Sequence, residues 1–167
     1  MVTIPSPRVI CLTEISIDGR TDIKQWSKLY NQKNSESDHY FNTLLRLHVQ
    51  AVLLGRNAFL HYFSNLQFLS DEKTAINKHE SFRGIRRFSK TTVVFDPDGT
   101  VLYPASDVNN TSIIAILGEK SCSQEYIDYL RENEISYLFA GDDGRNLDLA
   151  VSKLYFEFGL RKMILCG

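Results

Sequence analysis

The sequence predicts an α/β fold, a mostly parallel sheet with helices on both faces. Two observations predict it. Short apolar runs of strand length recur along the chain, and in the last third they alternate with stretches of helical, one-sided apolar spacing. Strand and helix in alternation imply right-handed βαβ crossovers, which bring the strands parallel and place helices over the sheet. At 167 residues the chain has the length of one domain with a substantial core.

The first strand is "RVICLTE" (Arg8 to Glu14), followed by "ISIDGR" (Ile15 to Arg20). Asp18-Gly19 is ordinary turn chemistry, but in open α/β sheets ligands bind beyond the carboxyl ends of strands, so this edge reads either way. The polar stretch from Tyr30 to Tyr40 leads into a helix that Ser37 or Asp38 could cap, with Phe41, Leu44, Leu45 and His48 along one face. "VQAVLLG" is a strand ending in Gly55, and "NAFLHYFSNL" is a helix opening near Arg56 or Asn57. Ser70 to Lys90 is polar and reads mostly as loop. "KTTVVFDPDGTVLYP" is a strand, the turn Asp96-Pro97-Asp98-Gly99 and a short extended segment.

Next comes the strand "SIIAILG", then the helix "SQEYIDYLRENE", capped by Ser121 or Ser123 and with Glu125 near its positive N-terminus. "ISYLFAG" is again a strand. "LDLAVSKLYFEFG" is a helix whose stripe of Leu147, Val151, Leu154 and Phe158 faces the core, with Gly159 as its stop. "KMILC" is the last strand.

The formal net charge of −1 provides no general attraction for nucleic acid or an anionic membrane. Cys11, Cys122 and Cys166 are odd in number and share no short spacing, which suits a reduced, cytoplasmic chain better than a disulfide framework or a zinc site. The first ten residues lack the pattern of a signal peptide, and no apolar run has the length of a membrane span. "NNTS" (Asn109 to Ser112) matches a glycosylation sequon, which carries no weight without secretion.

Four stretches could carry chemistry. In "LLGRNAF" (Leu53 to Phe59), Gly55 would let a backbone approach closely and Arg56 would bring a bidentate cation to a phosphate. An ordinary βα turn with a solvated arginine fits the same residues. "GDDGR" (Gly141 to Arg145) is too acidic for a phosphate and reads as loop. "SFRGIRRFSK" (Ser81 to Lys90) mixes arginines with Phe82 and Phe88. That could suit single-stranded nucleic acid, though a solvated basic loop fits the near-neutral total charge better. Cys166 closes an apolar strand and suits packing better than nucleophilic chemistry. The four histidines form no metal-ligand pattern, and no G-x-S-x-G elbow is present.

Taken in order, several segments resemble one family, the C-terminal reductase domain of riboflavin biosynthesis (RibD C-terminal). "PRVICLTEISIDGR" resembles its first strand and S-[LI]-D-G-[KR] signature, and "VQAVLLGRNAF" its V-[LV]-G-R-x-T-[FWY] segment. "TTVVFDPDG" is similar to its next strand and D-[SP]-x-G turn. "SYLFAGDDGRNLDLAVSKLYFEFGLRKMILCG" is similar to the end of its core, which runs into a strand closing on E-G-G. The resemblance implies a dihydrofolate-reductase-like fold lacking the C-terminal strands, with residues 1–167 forming one domain that is incomplete at that end. It also implies NADPH as cofactor, with NADH as the other option.

The reaction it implies is reduction of a ribosylamino-pyrimidine phosphate at the sugar C1′, by a cytoplasmic homodimer with no membrane or nucleic-acid partner. Thr13 and Glu14 would then line the nicotinamide. Gly55, Arg56, Asn57 and Ala58 would meet the cofactor phosphates, and Asp96 and Pro97 would lie near the adenosine ribose. Cys166 and Gly167 fall where E-G-G begins, Gly167 on the cofactor side and Cys166 on the substrate side. Ser16 and Asp18 would shape the substrate edge. No metal site is implied. Glu14, Ala58 and Cys166 depart from the family's small residue, threonine and glutamate, respectively. These departures favour the rival reading, a non-catalytic relative that binds a nucleotide or a partner.

Overall fold

The computed structural model describes residues 6–13, 46–63, 66–69, 76–77 and 79–166. Along the chain run β1 (Arg8–Leu12), β2 (Ala51–Gly55), α1 (Arg56–Tyr62), β3 (Thr91–Phe95) and β4 (Asp107–Val108). After these come β5 (Thr111–Leu117), α2 (Gln124–Glu132), β6 (Ser136–Phe139), α3 (Leu147–Phe156) and β7 (Lys162–Cys166). The sheet runs in the order β1-β7-β2-β3-β5. On the far side of β5, β4 pairs with its first residues and β6 with the rest. All pairings are parallel except the short β4–β5 hairpin. The parallel strands therefore present their carboxyl ends along one edge.

Side-chain alternation divides the core into two layers. Ile113, Ala115 and Leu117 of β5 and Tyr137 and Phe139 of β6 point to one face, where they meet Phe59 of α1 and Tyr126, Ile127 and Leu130 of α2. Ile114, Ile116 and Leu138 point to the other, where Ala150 and Leu154 of α3 cover them. A parallel sheet needs cover on both faces, and apolar residues at successive positions of β5 supply material for both. The expected arrangement of helices on both faces is thus present.

Local chemistry sets the helix ends. Ser123, not Ser121, caps α2, accepting from the Tyr126 N–H at 3.2 Å. Asn146 caps α3 in the same way through Leu149. Past α3, Gly159 sits at φ +71°, its N–H donating to Tyr155 O and the Leu160 N–H to Leu154 O, so the helix closes on this glycine as expected. The α3 stripe is a correction. Leu147 is 60% exposed, and the buried positions are Ala150 and Leu154. Leu147 is the first residue of the helix, where no preceding turn covers it, so helical spacing alone misplaced it. The helix expected after Ser37 or Asp38 lies almost wholly outside the described residues.

The sequon-like Asn109-Asn110 is a hairpin turn. Both residues have positive φ (45° and 60°) and join β4 to β5, which suits the tolerance of asparagine for this region.

The basic stretch also has a structural role. Phe82 pairs with Tyr137 through two backbone hydrogen bonds and stacks on its ring at 5.8 Å, while Arg131 lies over Phe82. Arg86 donates to its own chain at Phe88 O and Ser89 O, Arg87 pairs with Asp107 and Arg83 lies over Phe158. The segment is a strap over the outer edge of β6, which covers backbone groups that would otherwise be open to pairing.

Gly84 lets the strap pass. A Cβ there would stand 1.9 Å from Glu134 O, a backbone atom with no room to yield. Gly84→Ala should therefore destabilise the fold by about 2 kcal/mol, read as a lower denaturant midpoint. An unchanged midpoint would show that the strap is not seated as described.

Candidate functional site

The sheet order gathers several of the residues singled out by the sequence. Leu12 is in register with Cys166, Leu53 with Leu165, and Gly55 with Phe95. Thr13, Cys166, Gly55-Arg56 and the turn at Asp96 therefore follow one another along the carboxyl edge. Glu14, Ser16, Asp18 and Gly167 lie outside the described residues.

Gly55 leads directly into α1 with extended backbone (φ −72°, ψ 156°), a conformation open to any residue. Among the described residues, a Cβ on it would meet nothing within 4 Å. With respect to those residues the space above the end of β2 is open, and a bare backbone faces it. Arg56 and Asn57 come next, with Asn57 exposed and Arg56 partly so. The methyl of Ala58 turns inward against the core, leaving its backbone as what it can offer outward.

Arg56 is fixed from the neighbouring turn. Its Nη1 lies 3.3 Å from Thr100 Oγ1, to which it donates, and 3.7 Å from Asp98 Oδ2. Thr100 Oγ1 in turn donates to Asp96 Oδ1 at 3.0 Å. Asp96 is fully buried. Its Oδ2 accepts the N–H groups of Thr100 and Val101, both at 2.8 Å, and the hydroxyl of Tyr126 at 3.1 Å. Both carboxylate oxygens are thus engaged within the protein. The backbone of Asp96 closes the turn, its carbonyl accepting from the Gly99 N–H. Gly99 sits at φ +65° with the Tyr126 ring where a Cβ would go, so both conformation and space require glycine.

The turns after β3, β5 and β6 interlock. Pro97 O accepts from the Gly118 N–H at 2.9 Å and from Ser121 Oγ at 2.8 Å, which holds Pro97 inward. Gly141 O and Asp142 O accept the N–H groups of Glu119 and Lys120. The acidic "GDDGR" stretch is thus a loop whose backbone braces its neighbour.

Burial dominates the titration of the core groups near the site. It raises the Tyr126 phenol well above its ordinary range, with the charges of Tyr103 and Asp96 adding to the effect. It also pushes the Cys122 thiol up to about 12, and that thiol donates to Gly118 O. Cys122 is therefore inert packing. Cys166 is buried against the core on the α1 and α2 face. A separate concavity of about 460 Å³ lies along α2, but Glu125, Asp128 and Glu132 line it, which disfavours a phosphate. Among the described residues no group of side chains could hold a metal, and no helix is long and apolar enough to cross a membrane.

No protein-family model matches the sequence, and no curated protein aligns with it. Solved structures do. The riboflavin biosynthesis reductase of Saccharomyces cerevisiae superposes with a TM-score of 0.58 at 14% identity, over 100% of this chain and 65% of that protein. A pyrimidine reductase-like protein from Corynebacterium diphtheriae does so with a TM-score of 0.60 at 13% identity, over 96% of this chain and 65% of that one. The fold is that of the pyrimidine reductases. The dihydrofolate-reductase-like α/β architecture expected from the motifs is therefore present, in a chain that spans 65% of the length of each relative.

Within this fold, the sequence singled out Gly55, Arg56 and Asp96 as candidates but not Asp98, Thr100 and Tyr126 as partners of Arg56 and Asp96. "DPDGT" was legible as a turn. That its threonine bridges an arginine forty-four positions earlier in the chain was not. Replacing Asp96 with Ala would leave the N–H groups of Thr100 and Val101 and the Thr100 hydroxyl without this acceptor, and the Tyr126 hydroxyl with Val101 O alone. Asp96→Ala should lose about 3 kcal/mol of stability, and Tyr126→Phe about 1 kcal/mol, in chemical denaturation. Equal, negligible losses would refute the role given to this carboxylate.

Proposed function

We propose that the chain is a reductase dependent on a nicotinamide dinucleotide, acting on a ribosylamino-pyrimidine phosphate in riboflavin biosynthesis or on a close analogue. The observation that carries this reading is the edge at Gly55-Arg56. There an open approach to bare backbone stands beside a guanidinium held in place, on a sheet with the pyrimidine-reductase fold. The resemblance of "SIDGR" and "LLGR" to the reductase signatures supports it independently.

The residues present fit such a cofactor. The missing Cβ of Gly55 leaves room for a phosphate to approach, and Arg56 and Asn57 offer donors to it. The nicotinamide, NADPH by the resemblance, supplies a hydride when bound. The protein's share is placement: Arg56 anchors the phosphates, and Thr13 and Cys166 border the nicotinamide and substrate at the ends of β1 and β7. Glu14, Ser16, Asp18 and Gly167 complete this assignment from the sequence, and so does assembly as a cytoplasmic homodimer.

The rival reading is a non-catalytic relative that uses the same edge to bind a nucleotide. Its support is Cys166, which is buried in the core at a position where the resemblance calls for a carboxylate. Turnover separates the two, because both bind a nucleotide and only one oxidises it in the presence of substrate.

NADPH and NADH binding, followed by nicotinamide fluorescence, tests the shared premise. Arg56→Ala should weaken binding about tenfold, the worth of one charge-assisted contact. Gly55→Val should fold with a melting temperature lowered by only a few degrees, since its Cβ meets nothing among the described residues, yet lose binding. If neither nucleotide binds the wild-type protein, the reductase reading falls.

A further inference from the structure

Resting on the reading that a nicotinamide dinucleotide lies along the β2–β3 edge, we propose that Asp98 selects the form without a 2′-phosphate, so that the site prefers NADH to NADPH. Three observations lead there.

The first is which aspartate is available. Asp96, the strand-end acid that the sequence pointed to, is fully buried and both its oxygens accept hydrogen bonds from within the protein. Asp98, two residues on, has a side chain 45% exposed, and its only recorded partner among the described residues is Arg56 at 3.7 Å. It stands on the turn after β3, the parallel neighbour of the strand that carries Gly55. An acidic side chain at the end of the strand next to a glycine-led βα turn is suited to accept the hydroxyls of a ribose.

The second is the state of the cation. A 2′-phosphate needs a guanidinium free to turn toward it. Arg56 donates to Thr100, which is anchored on Asp96, and faces Asp98 through the same nitrogen. Turning toward a phosphate at the ribose would break both contacts.

The third is the local balance of charge. Among the described residues, Asp98 faces one guanidinium at this corner, Asp96 stands behind it through Thr100, and Lys120 on the turn after β5 is already paired with Asp142. A 2′-phosphate would bring a charge of about −1.5 to −2 into this acidic corner. A bare ribose diol brings none, and both of its hydroxyls can donate to Asp98.

The test compares NADH and NADPH binding by nicotinamide fluorescence on the wild type and on Asp98→Asn. Asparagine keeps the turn chemistry and the volume while removing the charge. The wild type should bind NADH at least about tenfold more tightly than NADPH, and Asp98→Asn should narrow that ratio about tenfold, chiefly by improving NADPH. Wild-type binding of NADPH as tight as that of NADH or tighter would overturn the inference and leave the reductase reading in place. A preference for NADH that Asp98→Asn does not change would remove Asp98 as its source. Binding of neither nucleotide would refute the reductase reading and this inference with it.

Discussion

One buried carboxylate organises the carboxyl edge of this sheet. A charge taken out of water is tolerated only where hydrogen bonds replace its hydration, and Asp96 receives them from Thr100, Val101 and Tyr126. Each donor belongs to a feature the site needs. Thr100 carries the contact to Arg56, Val101 begins the segment that pairs with Gln67, and Tyr126 belongs to the helix that covers this face. The interaction therefore does more than stabilise a turn. It ties the end of β3, the start of α1 and the first turn of α2 to one point, so the placement of Arg56 follows from the core.

The rest of the edge is built in the same spirit, from backbone rather than side chains. The turns after β3, β5 and β6 hold one another through carbonyl and N–H groups, with glycines where they approach most closely. Gly144 shows how close: a Cβ on it would lie 2.7 Å from Gly118 N and 2.9 Å from the Pro97 side chain. Such an edge presents a rigid floor. Over it stand a few exposed side chains, among them Asn57, Asp98 and part of Arg56. Preorganisation of this kind lowers the ordering entropy that binding must overcome.

Much of the fold was legible because its signals are local. Apolar runs in β5 and β6, the cap at Ser123 and the stop at Gly159 all act within a few residues, and a parallel sheet follows from their alternation. The errors have a common cause too. Leu147 satisfied the helical period but is exposed at the first position of α3, and Phe82 and Arg86 read as part of a solvated basic loop because their partners, Tyr137 and the local carbonyls, are invisible to composition. At the site, the sequence marked Asp96 as an acid at a strand end. Whether such an acid faces solvent or core depends on what α2 places opposite it, and Tyr126 settles that for Asp96 while leaving Asp98 outside.

The position of β7 has a consequence for how the chain reaches this state. The last strand in sequence lies between the first two, in register with Arg8–Leu12 on one side and with Ala51–Leu53 on the other. Among the described strands, β2, β3, β5 and β6 pair with one another, while β1 pairs only with β7. Its docking waits for Lys162–Cys166, the most distant strand along the chain. Contacts of such high sequence separation make closure slow relative to the local βαβ units. The half of the sheet that borders Thr13 and Cys166 thus rests on longer-range pairing than the βαβ unit that carries the Arg56 corner.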